Sequence, residues 1–175
     1  ATTEIYTLSL HDALPILLDR AAAGGRTDAF TLPRSRFADS LDFSFSGLKT
    51  AALNQLNRYR QQAGREGQDV WSLIRLQDFA ATCQQAIVDV LLSHTFQALA
   101  SLSLKRLTMA GGVAANSCLR RCMTERAARE GVTLTYPPLE LCTDNAAMIA
   151  SAGYFAWKSG RVDPLSLNAA ASLEL

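Results

Sequence analysis

Met109-Ala110-Gly111-Gly112-Val113-Ala114-Ala115-Asn116 joins a short apolar run to a helical pattern through two adjacent glycines. A junction of this kind lets a ligand approach bare backbone, while the start of the following helix offers unpaired N–H groups to an anion such as a nucleotide phosphate. The segment lacks both a Gly-Lys-Ser/Thr ending and a GxGxxG spacing, so a tight strand-to-helix turn with glycines for packing is the competing reading. Asp144, between Thr143 and Asn145, stands at the start of a later helix and at the carboxyl edge of a second strand, where ligands gather in open α/β sheets. A helix N-cap, worth roughly 1 kcal/mol, accounts for the same carboxylate without any ligand. The histidines are His11 and His94, too few and too scattered to write a complete metal cage from this chain. Cys118 and Cys122 share a helix face four residues apart and read as small core hydrophobes. Arg120, Arg121, Arg126 and Arg129 form a basic stretch that suits either a phosphate backbone or a solvated face. There is no HExxH helix, no Ser-His-Asp set and no credible Cys-His pair, which leaves little room for peptidase chemistry.

The elements that must carry these residues follow from periodicity. Leu17 to Ala23 reads as a short helical piece stopped by Gly24-Gly25, followed by a polar loop through Pro33 that carries Arg34 and Arg36. Asp42-Phe43-Ser44-Phe45-Ser46-Gly47-Leu48-Lys49-Thr50 alternates polar and aromatic residues, then passes into helical spacing at Leu48, Ala52, Leu53 and Leu56, with Ser46 as N-cap. Gly64 and Gly67 bound a linker. Leu73, Leu76, Ala80, Cys83, Ile87, Val90, Leu91 and Ala98 then mark one face of a single long helix over about 69–100. Lys105 to Ala110 reads as a short buried strand, Leu119, Cys122, Met123 and Ala127 as one side of the next helix, and Gly131 as its stop. Val132, Leu134 and Tyr136 alternate as a second strand that Pro137-Pro138 breaks. A last helix packs through Ala146, Ile149, Ala150, Gly153 and Trp157 and closes at Lys158 and Gly160. Helix, strand, helix, strand, helix with short links is an α/β layer with parallel strands. Two such strands need neighbours, so the sheet is expected to be incomplete.

Composition bounds the rest. With 175 residues, 49% apolar and 19% charged, the chain has the make-up of a globular domain and can bury about 70% of its unfolded surface without staples. Four cysteines without a CxxC pair suggest reduced thiols in the cytosol. The apolar stretches are broken well before 18 residues, too early for a membrane span. Seventeen Lys and Arg against 16 Asp and Glu leave a net charge of +1, so any nucleic-acid contact has to be local. Residues 1–16 fit neither helical nor alternating periodicity, and Pro15 is expected to end whatever precedes it. They resemble a translated adapter joined to a truncated reading frame, and are set apart as a suspected scar. Residues 17–165 form the domain, with a helical segment at 17–68 and an α-β-α-β-α core at 69–160. Residues 166–175 are a tail.

DFSFSGLKTA at 42–51, MAGGVAANSCLR at 109–120 and LCTDNAAMIASAG at 141–153 together resemble the TsaD family, the tRNA threonylcarbamoyltransferases once called glycoproteases. The resemblance runs from about Leu17 to the region of Pro164 and corresponds to the second half of a member. It implies part of a two-lobed actin-like ATPase fold of the RNase H-like kind. It also implies transfer of threonylcarbamoyl from threonylcarbamoyl-AMP to the exocyclic amine of adenosine 37 in ANN-decoding tRNAs, with one divalent metal, iron or zinc. TsaB-like and TsaE-like proteins are the implied partners. Gly111 and Gly112 then match the turn facing the nucleotide phosphates, Asn116 a substrate-contacting Asn, Asp19 in LLDRAAAGG the Asp of a GGP-x-x-D segment, and Asp144 the metal-binding carboxylate. The family's histidine pair, its Ser-Gly-Gly-His-Thr turn and its Gly-Gly-Pro lie upstream of that region and have no counterpart here. The expectation is an acyltransferase fragment that is inert alone. The other readings are a non-catalytic half-domain that pairs with a TsaB-like protein, and a different actin-like ATPase such as a carbamoyltransferase or sugar kinase, against which the FSFSGLKT block speaks.

Overall fold

The computed structural model describes residues 10–34 and 40–168, with backbone alone for 10–15. Expectations for residues 1–9, for Arg36 and for the tail beyond 168 lie outside the described residues. The elements are α1 (Leu10–Ala22), α2 (Ser46–Glu66), α3 (Val70–Leu73), α4 (Leu76–Ser101), β1 (Arg106–Thr108), α5 (Ser117–Glu130), β2 (Thr133–Thr135) and α6 (Ala146–Lys158), with single 3-10 turns at Gly112–Ala115 and Leu139–Leu141.

α4 is the spine. Its buried residues are not one stripe but lie all round it, from Ala80, Ala81 and Thr82 to Val88, Phe96 and Leu99, the pattern of a helix covered on several sides. On one side α1 brings Leu18, Ala21 and Ala22 against Ala80 and Ala81. On another, Leu32 and Leu48 meet Ala86, flanked by Phe45, Ala51 and Ala52. On the third, Val88, Phe96 and Leu99 pack with Cys118, Leu119, Met123 and Ala127 of α5 and with Leu107 and Leu134 of the strands. Gly25 is set by this packing: a β-carbon there would lie 2.0 Å from the carbonyl oxygen of Gln77.

The single helix expected over 69–100 is two. Asp69 caps α3 by accepting from the Trp71 N–H at 2.7 Å, and Ile74 is extended at φ −135° and ψ 141°. The break turns Ile74 into the core and leaves Leu76 outside, where a continuous helix would have aligned Leu73, Leu76 and Ala80. Likewise α1 does not stop at Pro15. It runs unbroken from Leu10 to Ala22, with Pro15 removing one N–H from its ladder. Ser46 is the first residue of α2 rather than its cap. Gly64 is helical, and it is Gly67, left-handed at φ 65°, that ends α2.

β1 and β2 pair in parallel with Leu107 opposite Leu134. These two inner residues reach the core, while Arg106, Thr108, Thr133 and Thr135 are exposed. The strands are thus half-buried rather than buried, because α4 and α5 cover one face only. α6 departs furthest from expectation. It has no buried residue, and Ile149 and Trp157 are each 66% exposed. A helix face is buried only against another layer, and the covered side of the two strands is already occupied.

Candidate functional site

The turn after β1 begins at Gly111, whose φ of 84° and ψ of 176° suit glycine, and winds through the 3-10 turn to Asn116. α5 therefore starts at Ser117, not at the glycines. Its first N–H groups have partners. Asn116, 6% exposed, accepts from the Leu119 N–H at 2.9 Å through Oδ1 and donates from Nδ2 to Gln84 Oε1 at 3.0 Å. Asp19, reaching across from α1, accepts the Ser117 N–H at 3.0 Å on Oδ2 and the Ser117 hydroxyl at 2.9 Å on Oδ1. This corrects the expectation of an open anion seat: a carboxylate already sits on the helix start.

Beside these groups lies a cavity of about 230 Å³ with an apolar wall, lined by Leu18, Ile87, Leu91, Val113 and Leu119 and by the apolar atoms of Gln84 and Asn116. Asp144 is elsewhere, exposed in an open hollow with Asn145, Met148 and Ile149. It does not cap α6. Asn145 does, accepting from the Met148 N–H at 2.9 Å while its own amide donates to the Thr143 carbonyl at 2.9 Å.

Of the basic stretch, Arg121 and Arg126 pair with Glu125 and Glu130 on their own helix at 3.5 and 2.8 Å. Arg120 turns inward to the loops and stacks on Tyr136. Cys83 and Cys122 are poor nucleophiles: burial pushes the Cys83 thiol up to about 11, and burial, followed by the neighbouring Cys118, raises that of Cys122. His94 is buried against Phe43, with ring centroids 5.3 Å apart.

Residues 3–151 match the sequence profile of TsaD, tRNA N6-adenosine threonylcarbamoyltransferase. The chain belongs to the TsaD family. It is 42% identical over 159 residues to the tRNA N6-adenosine threonylcarbamoyltransferase of Clostridium beijerinckii, which covers 90% of this chain and 44% of that protein. The enzyme of the same name from Desulfitobacterium hafniense is 43% identical with the same coverage, and that from Clostridioides difficile is 42% identical, covering 91% and 45%. The chain thus spans less than half the length of the curated relatives it matches. Its helical layers on a short parallel strand pair are part of the actin-like fold of the TsaD family, an acyltransferase family that modifies tRNA. Among the described residues no helix is long and apolar enough to cross a membrane.

Of the five residues that the TsaD motifs single out, Asp19, Gly111, Gly112 and Asn116 converge where α1 packs on the turn after β1. Asp144 lines its own hollow. The residues present do not make a metal site: among the described residues no three His, Cys, Asp or Glu side chains cluster, and Asp144 is a lone exposed carboxylate. The sequence reading missed Gln84, Ser117 and the inward turn of Arg120. A glutamine amid the apolar positions of α4 was a usable signal for the first. Nothing local announces the pairing of Ser117 with a residue 98 positions away.

Proposed function

We propose that this chain supplies one side of the centre of a tRNA N6-adenosine threonylcarbamoyltransferase. The observation that supports this reading is the meeting of Asp19 and Asn116 at the start of α5, beside the glycine turn and an adjoining cavity, in a chain of the TsaD family. In the reaction, the exocyclic amine of adenosine 37 in an ANN-decoding tRNA attacks the carbamoyl carbon of threonylcarbamoyl-AMP. The bond from that carbon to the phosphate oxygen breaks, AMP leaves with the electron pair, and the amine loses a proton.

This chain's part is positioning. The turn leaves backbone accessible to the phosphate at Gly111, where a β-carbon would meet nothing within 4 Å. Asp19 uses one lone pair of each oxygen on Ser117, and a carboxylate has about four acceptor sites, so it retains capacity for a ligand hydroxyl. Asn116, locked by Gln84 and Leu119, fixes the start of α5 beside the cavity. Asp144 is this chain's one carboxylate toward the divalent ion, iron or zinc, that the family resemblance implies. Its fellow ligands have to come from outside the described residues, and TsaB-like and TsaE-like proteins attend the assembly.

The test is formation of threonylcarbamoyladenosine in tRNA, read by nucleoside mass spectrometry. The chain alone, with metal and threonylcarbamoyl-AMP, gives no product. Placed behind the preceding part of the Clostridium beijerinckii relative, it gives product. A folded fusion with no activity overturns the assignment, and product from the chain alone overturns its dependence on further ligands.

A second reading, a binding half-domain without chemistry, is supported by the bare apolar face of α6, with Ile149, Phe155 and Trp157 more than 60% exposed. Co-purification with a TsaB-like protein, together with absence of product from the fusion, decides for it.

A further inference from the structure

Arg120 is unlike its basic neighbours. Arg121 and Arg126 each pair with a glutamate one turn along the same helix, the ordinary use of arginine on a solvated face. Among the described residues no carboxylate forms an ion pair with Arg120. Its guanidinium is spent on the backbone and side chains of two separate loops. Nε donates to the Ala114 carbonyl in the turn after β1. Nη2 donates to the Pro137 carbonyl at 2.8 Å and to Cys142 Sγ at 3.0 Å, both in the loop after β2. Its charged carbon lies 4.6 Å from the centroid of the Tyr136 ring, which fixes the plane of the fork.

The loop after β2 is itself folded around that contact. Cys142 is 3% exposed, and its thiol faces the carbonyls of Pro138 at 3.5 Å and Pro137 at 3.9 Å. Two residues on stands Asp144, and Asn145 then caps α6. One planar side chain thus spans from the turn that holds Gly111 and Gly112 to the hook from which Asp144 projects. Lysine replaces it only in part, because a single ammonium on a flexible stem keeps the charge but has neither the rigid fork nor the flat face.

We propose that Arg120 is a positioning residue that clamps the Asp144 loop to the glycine turn and so fixes the spacing between the two halves of the site. The clamp is a property of the chain as it stands. Its service to transfer rests on the function proposed above.

The test uses this chain unaltered and as Arg120→Gln and Arg120→Lys, with peptide-resolved hydrogen exchange and iodoacetamide labelling of each cysteine. In Arg120→Gln, exchange in 111–116 and in 137–145 rises together, and Cys142 alkylates faster by about tenfold or more, the scale of losing hydrogen bonds to a charged group. α4 keeps its protection and Cys83 its slow labelling. Arg120→Lys falls between, a graded rescue that a loss of global stability would not produce. Unchanged exchange, loosening of one segment without the other, or uniform loosening of the whole chain each overturns the clamp. These readouts do not depend on transfer: a fusion without activity overturns the functional assignment and leaves the clamp to be judged on exchange and labelling.

Discussion

Asp19 holds Ser117 with both carboxylate oxygens, taking the backbone N–H at 3.0 Å and the hydroxyl at 2.9 Å across 98 positions of chain. This contact ties α1 to the start of α5 and places a negative charge where the helix dipole is positive. Asp19→Ala is expected to lower unfolding free energy by about 1–2 kcal/mol, and Ser117→Ala by somewhat less. In a double-mutant cycle the two losses should overlap by at least 0.5 kcal/mol, on the order expected for groups in contact. Additive losses would show that the carboxylate acts on the helix without Ser117.

Two glycines should respond in opposite senses. Gly64 lies inside α2 with open space around it, so Gly64→Ala is expected to stabilise by about 0.5–1 kcal/mol. At Gly25 the new β-carbon would strike the Gln77 carbonyl, so Gly25→Ala forces α1 away from α4. A loss of about 2 kcal/mol or more, on the scale of overpacking a filled site, is expected in chemical denaturation.

Burial raises the Cys83 thiol from its ordinary 9.0 to about 11. Below pH 9 the thiol is protonated in folded and unfolded chain alike, and its contribution is fully present. As pH rises from about 9 toward 11 the unfolded thiol ionises first, so stability falls across that window. Cys83→Ala should flatten this part of the pH profile. An unchanged slope would assign the fall to other groups.

α6 presents Met148, Ile149, Tyr154, Phe155 and Trp157 at 45–66% exposure. Apolar surface on this scale drives association of a chain left to itself. Sedimentation of the purified chain is expected to show concentration-dependent oligomers, with Phe155→Lys shifting the distribution toward monomer. A monodisperse monomer across concentrations would contradict this.

The sequence carried most of the framework in local signals. The parallel strands, the Gly131 stop and the helices around Leu48 and Leu119 follow from periodicity and from glycine's tolerance of positive φ. What was not legible is non-local. The break at Ile74 contains neither glycine nor proline and exists because tertiary burial favours Ile74 inside over a continuous helix. The start of α5 looked open because its acceptor, Asp19, lies on another helix. The packing expected of α6 through Ile149 and Trp157 is absent, because periodicity names an apolar face without naming what covers it. Arg120 looked like its neighbours because a run of arginines does not reveal which one turns inward.

The most direct test of the account is tRNA threonylcarbamoylation by the fusion carrying this chain, compared with its Asp144→Ala and Asn116→Ala variants after each is shown to be folded. The account predicts product from the parent fusion and a loss of about a hundredfold or more in both variants, the scale of removing a positioning group from an active centre. Full activity in folded variants would contradict the placing of these residues in the centre.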